Sequence, residues 1–297
     1  MMKNSMKPIF QKISFFLFLS ILTSSSFSQY YYYNNKFLDN DVIWEIGGSF
    51  GGMYSLADVG KKQYNAFLPG RLDYSSTKAS GGIYAGVLYR NLVGGRLEIT
   101  YGSVSAADST GSPDRQVRNL SYRSDIREIA LIGEVHPLVL TNWETLPAIS
   151  PYIVAGVGYF SFNPQASYEG RLVNLQPLST AGQGFAEYPE RKPYKLSSLC
   201  VPFGFGLKYD FSALISGRFE VIERYTFTDY LDDASAHYID PELFYKYFTP
   251  EKAALAEALH NRAGKKIGGS RGGLNTKDKY VTINLKLGVM LGRERIR

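Results

Sequence analysis

Cysteine is nearly absent: Cys200 is the single one among 297 residues. No disulfide can form within the chain, and Cys200 sits inside an alternating run as a packing residue rather than a reactive thiol. Histidine is almost as scarce. His136, His237 and His260 are the three present; none has metal-ligand spacing, and neither GxSxG nor HExxH occurs, so no enzyme, metal or cofactor is signalled. No apolar run reaches the ~20 residues of a transmembrane helix. The formal charge of +6 includes Lys3, Lys7 and Lys12 of the first segment, and the remainder is too small and scattered to mark a nucleic-acid partner. Nor is a small-molecule substrate signalled. GGSRGG at 268–273 has the composition of a phosphate cradle, but it follows no strand and opens no helix, so it reads as a flexible loop. Asp229, Asp232 and Asp233 lack the DxDxDG spacing of a calcium loop and read as solvated, with cation binding left open.

What the chain has in quantity is glycine, tyrosine and phenylalanine, 29, 23 and 18 residues. That composition suits many half-apolar strands better than Leu-faced helices. A basic start, the short apolar core ISFFLFLSIL at 13–22 and small residues at Ser26 and Ser28 predict a signal peptide over 1–28. A polar, tyrosine-rich segment over 29–40 is expected in the periplasm, then a barrel over 41–292 and a basic tail over 293–297.

Eight alternating runs follow, at 42–53, 82–89, 96–104, 126–135, 152–162, 199–209, 217–228 and 280–291. The last, YVTINLKLGVML, has about the ten residues that a tilted strand needs to cross a bilayer. In most runs one face is bulky and apolar, as with Trp44, Ile46 and Phe50, or Val201, Phe203, Phe205 and Leu207. The other face is small or charged. The 152–162 run is apolar on both faces, and Glu223 interrupts the 217–228 run. A soluble lipocalin-like barrel would have to pack its phenylalanines into a narrow interior, whereas a lipid-embedded barrel turns them outward. A charge facing mid-bilayer costs roughly 2–4 kcal/mol, so the charges belong inside. The predicted fold is therefore all-β: an eight-stranded antiparallel transmembrane barrel of OmpA/OmpX type in the outer membrane, in contact with membrane lipid.

The inward set is Arg96, Glu98, Glu128, Glu134, Lys208, Arg218, Glu220, Arg224 and Lys286. It nearly balances and reads as a structural plug. Connections after the first, third, fifth and seventh runs are long, as on the outside of such barrels, whereas 90–95 and 210–216 are short. One outer loop is predicted to carry a helix over 251–262, with Thr249 as N-cap, Leu255, Ala258 and Leu259 as its apolar stripe and Gly264 as C-cap.

Four stretches carry a resemblance: SYRSDIREIALIGEVHP (121–137), PYIVAGVGYFSFNPQASYEGRLVNLQPLSTAGQG (151–184), VPFGFGLKYD (201–210) and FTDYLDDAS (227–235). Together they resemble the PorG family, the small outer-membrane barrel of the type IX secretion system of Bacteroidetes; Ala181 stands where that family has an acidic residue. The resemblance implies a noncatalytic barrel that associates with a periplasmic ring of PorK and PorN proteins and supports cargo export through a separate translocon. Tyr30, Tyr31, Trp143, Arg293 and Arg295 are the candidate periplasmic contacts, Trp143 first because tryptophan and arginine dominate interface energetics. The alternative is a structural or adhesive OmpA/OmpX-like barrel acting through its outer loops.

Overall fold

The computed structural model describes residues 37–60, 76–140, 149–273 and 277–295, with backbone only for 37–40 and 293–295. The expected signal peptide, Tyr30, Tyr31 and Trp143 lie outside these residues, as do the side chains of Arg293 and Arg295. Ten strands form one sheet: β1 Phe37–Leu56, β2 Lys78–Tyr89, β3 Val93–Ala107, β4 Ser121–Val135, β5 Ile149–Ser161, β6 Pro164–Tyr168, β7 Arg171–Asn174, β8 Ser197–Asp210, β9 Ile215–Thr226 and β10 Lys279–Arg295. β1 pairs with both β2 and β10, and β3 with β4, so eight strands close into an antiparallel barrel. The extra two, β6 and β7, are a hairpin in the third outer connection. β10 zips to β1 from Trp44↔Leu291 to Leu56↔Lys279, which closes the seam.

Side chains alternate across the wall because successive Cβ atoms point to opposite faces. Outward, Ile46, Phe50, Ile83, Leu131, Phe205 and Leu287 are each about half exposed or more. They form a belt flanked by Trp44 and Tyr89 at the end with short turns and by Tyr101, Tyr159 and Tyr225 at the other. A closed sheet with such a belt and aromatic girdles is stable in lipid, where no backbone group may go unpaired. The protein is an outer-membrane barrel. The undecided fifth strand turns Ile153, Val157 and Tyr159 outward and Tyr152, Val154 and Phe160 inward.

The ladder runs past the apolar alternation at both ends. β3 and β4 stay paired to Ala107↔Ser121, beyond the last belt residues, since backbone hydrogen bonding continues where lipid stops. The expected boundaries at 40 and 293 shift for the same reason: Phe37 pairs with Arg295 and Asp39 with Arg293, so the start of the basic tail is strand rather than a free appendage.

The outer connections build a cap. The second carries helix α1 Pro113–Arg118; the fourth carries α2 Glu242–Tyr247 and α3 Pro250–His260, where one helix was expected. α3 begins after Thr249, whose side chain makes no capping bond, and ends at Asn261 rather than at Gly264. It buries Ala253, Ala256 and Leu259, while Ala258 is only partly buried. Those residues pack with Leu175, Leu178, Phe185, Ile239 and Phe244 into a core separate from the barrel's own. Phe185 stacks on Tyr247 at 4.3 Å. The cap therefore holds itself together instead of lying as loose loops.

Candidate functional site

All nine side chains expected in the lumen are buried there, and six of them join one network. Arg96 donates to Glu98 (3.1 Å), Glu134 (2.6 Å) and Glu220 (2.8 Å). Lys286 reaches Glu98 at 2.5 Å and Glu220 at 2.8 Å, and Arg218 reaches Glu134 at 2.9 Å. A separate pair lies nearer the outside, Arg224 with Glu128 at 3.1 Å, where the Tyr280 hydroxyl also donates to Glu128. Lys208 stands apart, near the short-turn end, against Asp210 at 3.3 Å.

One member was missed. Glu45 takes Arg218 at 2.7 Å and accepts from Tyr84 at 2.6 Å; its inward parity between Trp44 and Ile46 was the available signal. With it the lumen holds five glutamates against three arginines and two lysines. Tyrosines supply further donors, among them Tyr152 to Glu220 at 2.5 Å, and Ser216 donates to Glu45 at 3.0 Å. Glycine makes room for them: a Cβ on Gly288 would stand 2.5 Å from the Tyr84 hydroxyl oxygen and 2.6 Å from Glu45 Oε1. His136 joins Ser150 (2.9 Å) to Glu134 (3.3 Å), but its buried ring stacks on Tyr152 at 4.8 Å, so it braces the lumen floor.

Apolar layers close both ends. Ile43, Leu88 and Met290 cluster toward the short turns. Met53, Ile126, Phe160, Phe162, Leu231 and Tyr280 belong to a larger cluster under the cap. A void of about 10 Å³ beside Glu45, Arg96 and Arg218 takes one water at most. Among the described residues the lumen is filled by paired side chains.

A second polar layer ties the cap to the barrel rim, and here the solvated-loop reading fails. Asp229, Asp232 and Asp233 are all buried, because the cap folds over them. Asp233 accepts from Tyr194 at 2.7 Å and from Thr180, and pairs with Arg271 at 3.4 Å. Arg271 is itself buried, so 268–273 is a clamp and not a flexible tract. Arg118 binds Asp108 at 2.7 Å and the Arg271 and Asp58 carbonyls. Asp229, Asp232 and Asp278 have less company. Asp232 accepts from the Val59 (2.9 Å) and Ala234 (2.8 Å) amides, Asp278 from Leu231 (2.9 Å) and Asp229 from Ser235 (2.8 Å), while Asp229 Oδ1 has no partner. Burial, with Asp58 close by, pushes Asp232 up to about 7 and Asp229 up to about 6. Burial and the same neighbours hold Asp278 well above the usual range. Among the described residues no group of three or more His, Cys, Asp or Glu side chains is placed to hold a metal. His260 is buried between the Thr180 carbonyl and the Ile239 amide, and burial lowers it to about 3.

Glu223 is the exception on the wall. It has outward parity yet is fully buried, paired to Lys279 at 3.1 Å, beside an outward apolar cluster of Tyr54, Leu56 and Val281.

Among solved structures, the chain is similar to the β-barrel domain of OprF from Pseudomonas aeruginosa, at 9% identity and TM-score 0.31 over 86% of this chain and 100% of that one. It is similar to Neisserial surface protein A at 8% and 0.36, over 85% and 98%. OprG of Pseudomonas aeruginosa matches at 10% and 0.32, over 90% and 98%. No curated protein matches. A family model described as "Domain of unknown function (DUF6089)" matches residues 27–241, and the chain belongs to that family.

Proposed function

We propose that this protein is a noncatalytic component of the type IX secretion system, set in the outer membrane with its short-turn end toward a periplasmic ring of PorK- and PorN-like proteins. The observation that carries this is the sealed lumen. A barrel plugged by paired charges between two apolar layers cannot pass a folded or unfolded chain, so its role in export is exerted through what it touches. The four stretches that resemble the PorG family support the choice of system, and parts of three of them meet in the outer half of the molecule: 162–184 and 227–235 in the cap, and the start of 121–137 on the rim. Tyr30, Tyr31, Trp143, Arg293 and Arg295 are the proposed ring contacts. Deleting the gene should abolish surface delivery of cargo, and crosslinking from position 143 should capture ring proteins; normal secretion by the deletion strain would refute the proposal.

A second reading has one observation in its favour. A cap with its own core around Phe185, Phe244 and Leu259 is more than a periplasmic docking role requires, and it suits a structural or adhesive barrel that works outside the cell. Trimming the cap separates the two, because adhesion would be lost while ring association persisted.

A further inference from the structure

Two outward cations near the outer tyrosines keep different company. Lys279 lies over the Tyr225 ring at 4.2 Å and is neutralised by Glu223. Arg127, on the other side of the barrel, is exposed and has no hydrogen bond or ion pair among the described residues. Its cross-strand neighbours are Tyr101 on β3 and Ser161 on β5. Ser161 stands opposite Ser197 on β8, whose hydroxyl takes the Tyr159 hydroxyl at 2.8 Å. With strands about 4.8 Å apart, Tyr101, Arg127, Ser161 and Ser197 make a row of donors roughly 15 Å long. Lys195, two residues beyond Ser197 toward the outside, is exposed and also unpaired among the described residues. The nearest acid on the outward face of β4, Asp125, is engaged by Arg123 at 3.4 Å. Directly below the row the wall is apolar, with Ile129, Leu131 and Val157 exposed.

We propose that Arg127, with Lys195 as a second cation, binds the phosphate of an outer-leaflet lipid headgroup whose acyl chains lie on the belt beneath. A guanidinium fork matches two phosphate oxygens at once, and the flanking hydroxyls stand within reach of the others. The tyrosine girdle puts the row at headgroup depth, where a cation is drawn to anionic lipid. The apolar surface below selects an acylated ligand over a free anion.

The test uses the full chain in a nonionic detergent, titrated with diphosphoryl lipid A and with the same lipid stripped of its phosphates, and read by native mass spectrometry. Lipid A adducts should form and weaken about tenfold in Arg127→Gln, the loss of one charge-assisted bidentate contact. Lys195→Gln should lose less, and the stripped lipid should bind no better than the Arg127 variant. Heat-modifiable mobility on gels verifies that each variant is folded. Equal lipid A binding by Arg127→Gln would overturn the proposal. So would inorganic phosphate that binds unaided with the same dependence on Arg127, since that describes an anion site and not a lipid site.

Discussion

The protein buries two sets of carboxylates, and they differ in what faces them. In the lumen every glutamate meets a guanidinium or an ammonium. Under the cap Asp229, Asp232 and Asp278 meet mainly amides, hydroxyls and one another. Removing an ion from water costs several kcal/mol, which is offset only where partners are complete. The lumen therefore meets each buried charge with its opposite. In the cap layer burial raises Asp229 and Asp232 instead, so the clasp over the barrel responds to pH.

The largest expected effect comes from making the lumen resemble the cap layer. Arg96→Met removes the cation shared by Glu98, Glu134 and Glu220 and leaves Lys286 and Arg218 to serve all three. Breaking a buried pair costs about 3–5 kcal/mol. The variant should unfold at markedly lower urea in detergent, and it should lose heat-modifiable mobility at lower temperature than the parent.

The converse change, easing the cap layer, should stabilise. A carboxyl raised in the folded state holds its proton there at pH values where the unfolded chain, near 3.9, has lost it. Stability contributed by Asp229 is thus highest below about pH 4, falls as pH rises toward about 6, and stays low above. Asp229→Asn should remove that fall. It should leave the cap unchanged at pH 4 and strengthen it at pH 8, read as slower proteolysis of the 229–273 connection. His260 works the other way: its value of about 3 means that stability is lost as pH falls from about 6.5 through 3. Because His260 is common to both proteins, a difference between Asp229→Asn and the parent that is the same at pH 4 and pH 8 would contradict the account of the acid cluster.

The barrel was legible because its determinants are periodic: bulk at every second residue, charge between, and connections alternating in length. Nine lumen charges followed from parity alone. Glu45 was passed over because aromatic and aliphatic neighbours dominate its run, although parity assigns it inward. The cap was not legible, since its core joins 164–196 to 238–260 across long sequence separation, and neither segment shows it alone. Arg271 in a glycine-rich tract looks mobile until Asp233, which binds it, is placed. Glycine was visible as a count but not as a fit. Gly288→Ala tests that fit: its new methyl would crowd Tyr84 and Glu45 and should cost about 1–3 kcal/mol, seen as a lower urea midpoint with an unchanged slope.

The smallest expected effect isolates pairing from charge itself. Glu128 and Arg224 form a pair that shares no ion pair with the network around Arg96. Glu128→Leu alone strands the Arg224 guanidinium, apart from its bonds to Thr282 and the Ile222 carbonyl, and should cost as much as the Arg96 change. Adding Arg224→Met removes the stranded charge. Because replacing a whole buried pair by apolar side chains of similar volume is often neutral, the double variant should return to within about 1 kcal/mol of the parent, a coupling that a double-mutant cycle reads directly. Tyr280 would lose its acceptor in the double variant, so a residual cost of about that size belongs to its hydroxyl, and Tyr280→Phe in the same background should remove it. If the double variant instead stayed as unstable as Glu128→Leu, the lumen would need these charges for more than mutual neutralisation, and the contrast with the cap would not rest on pairing.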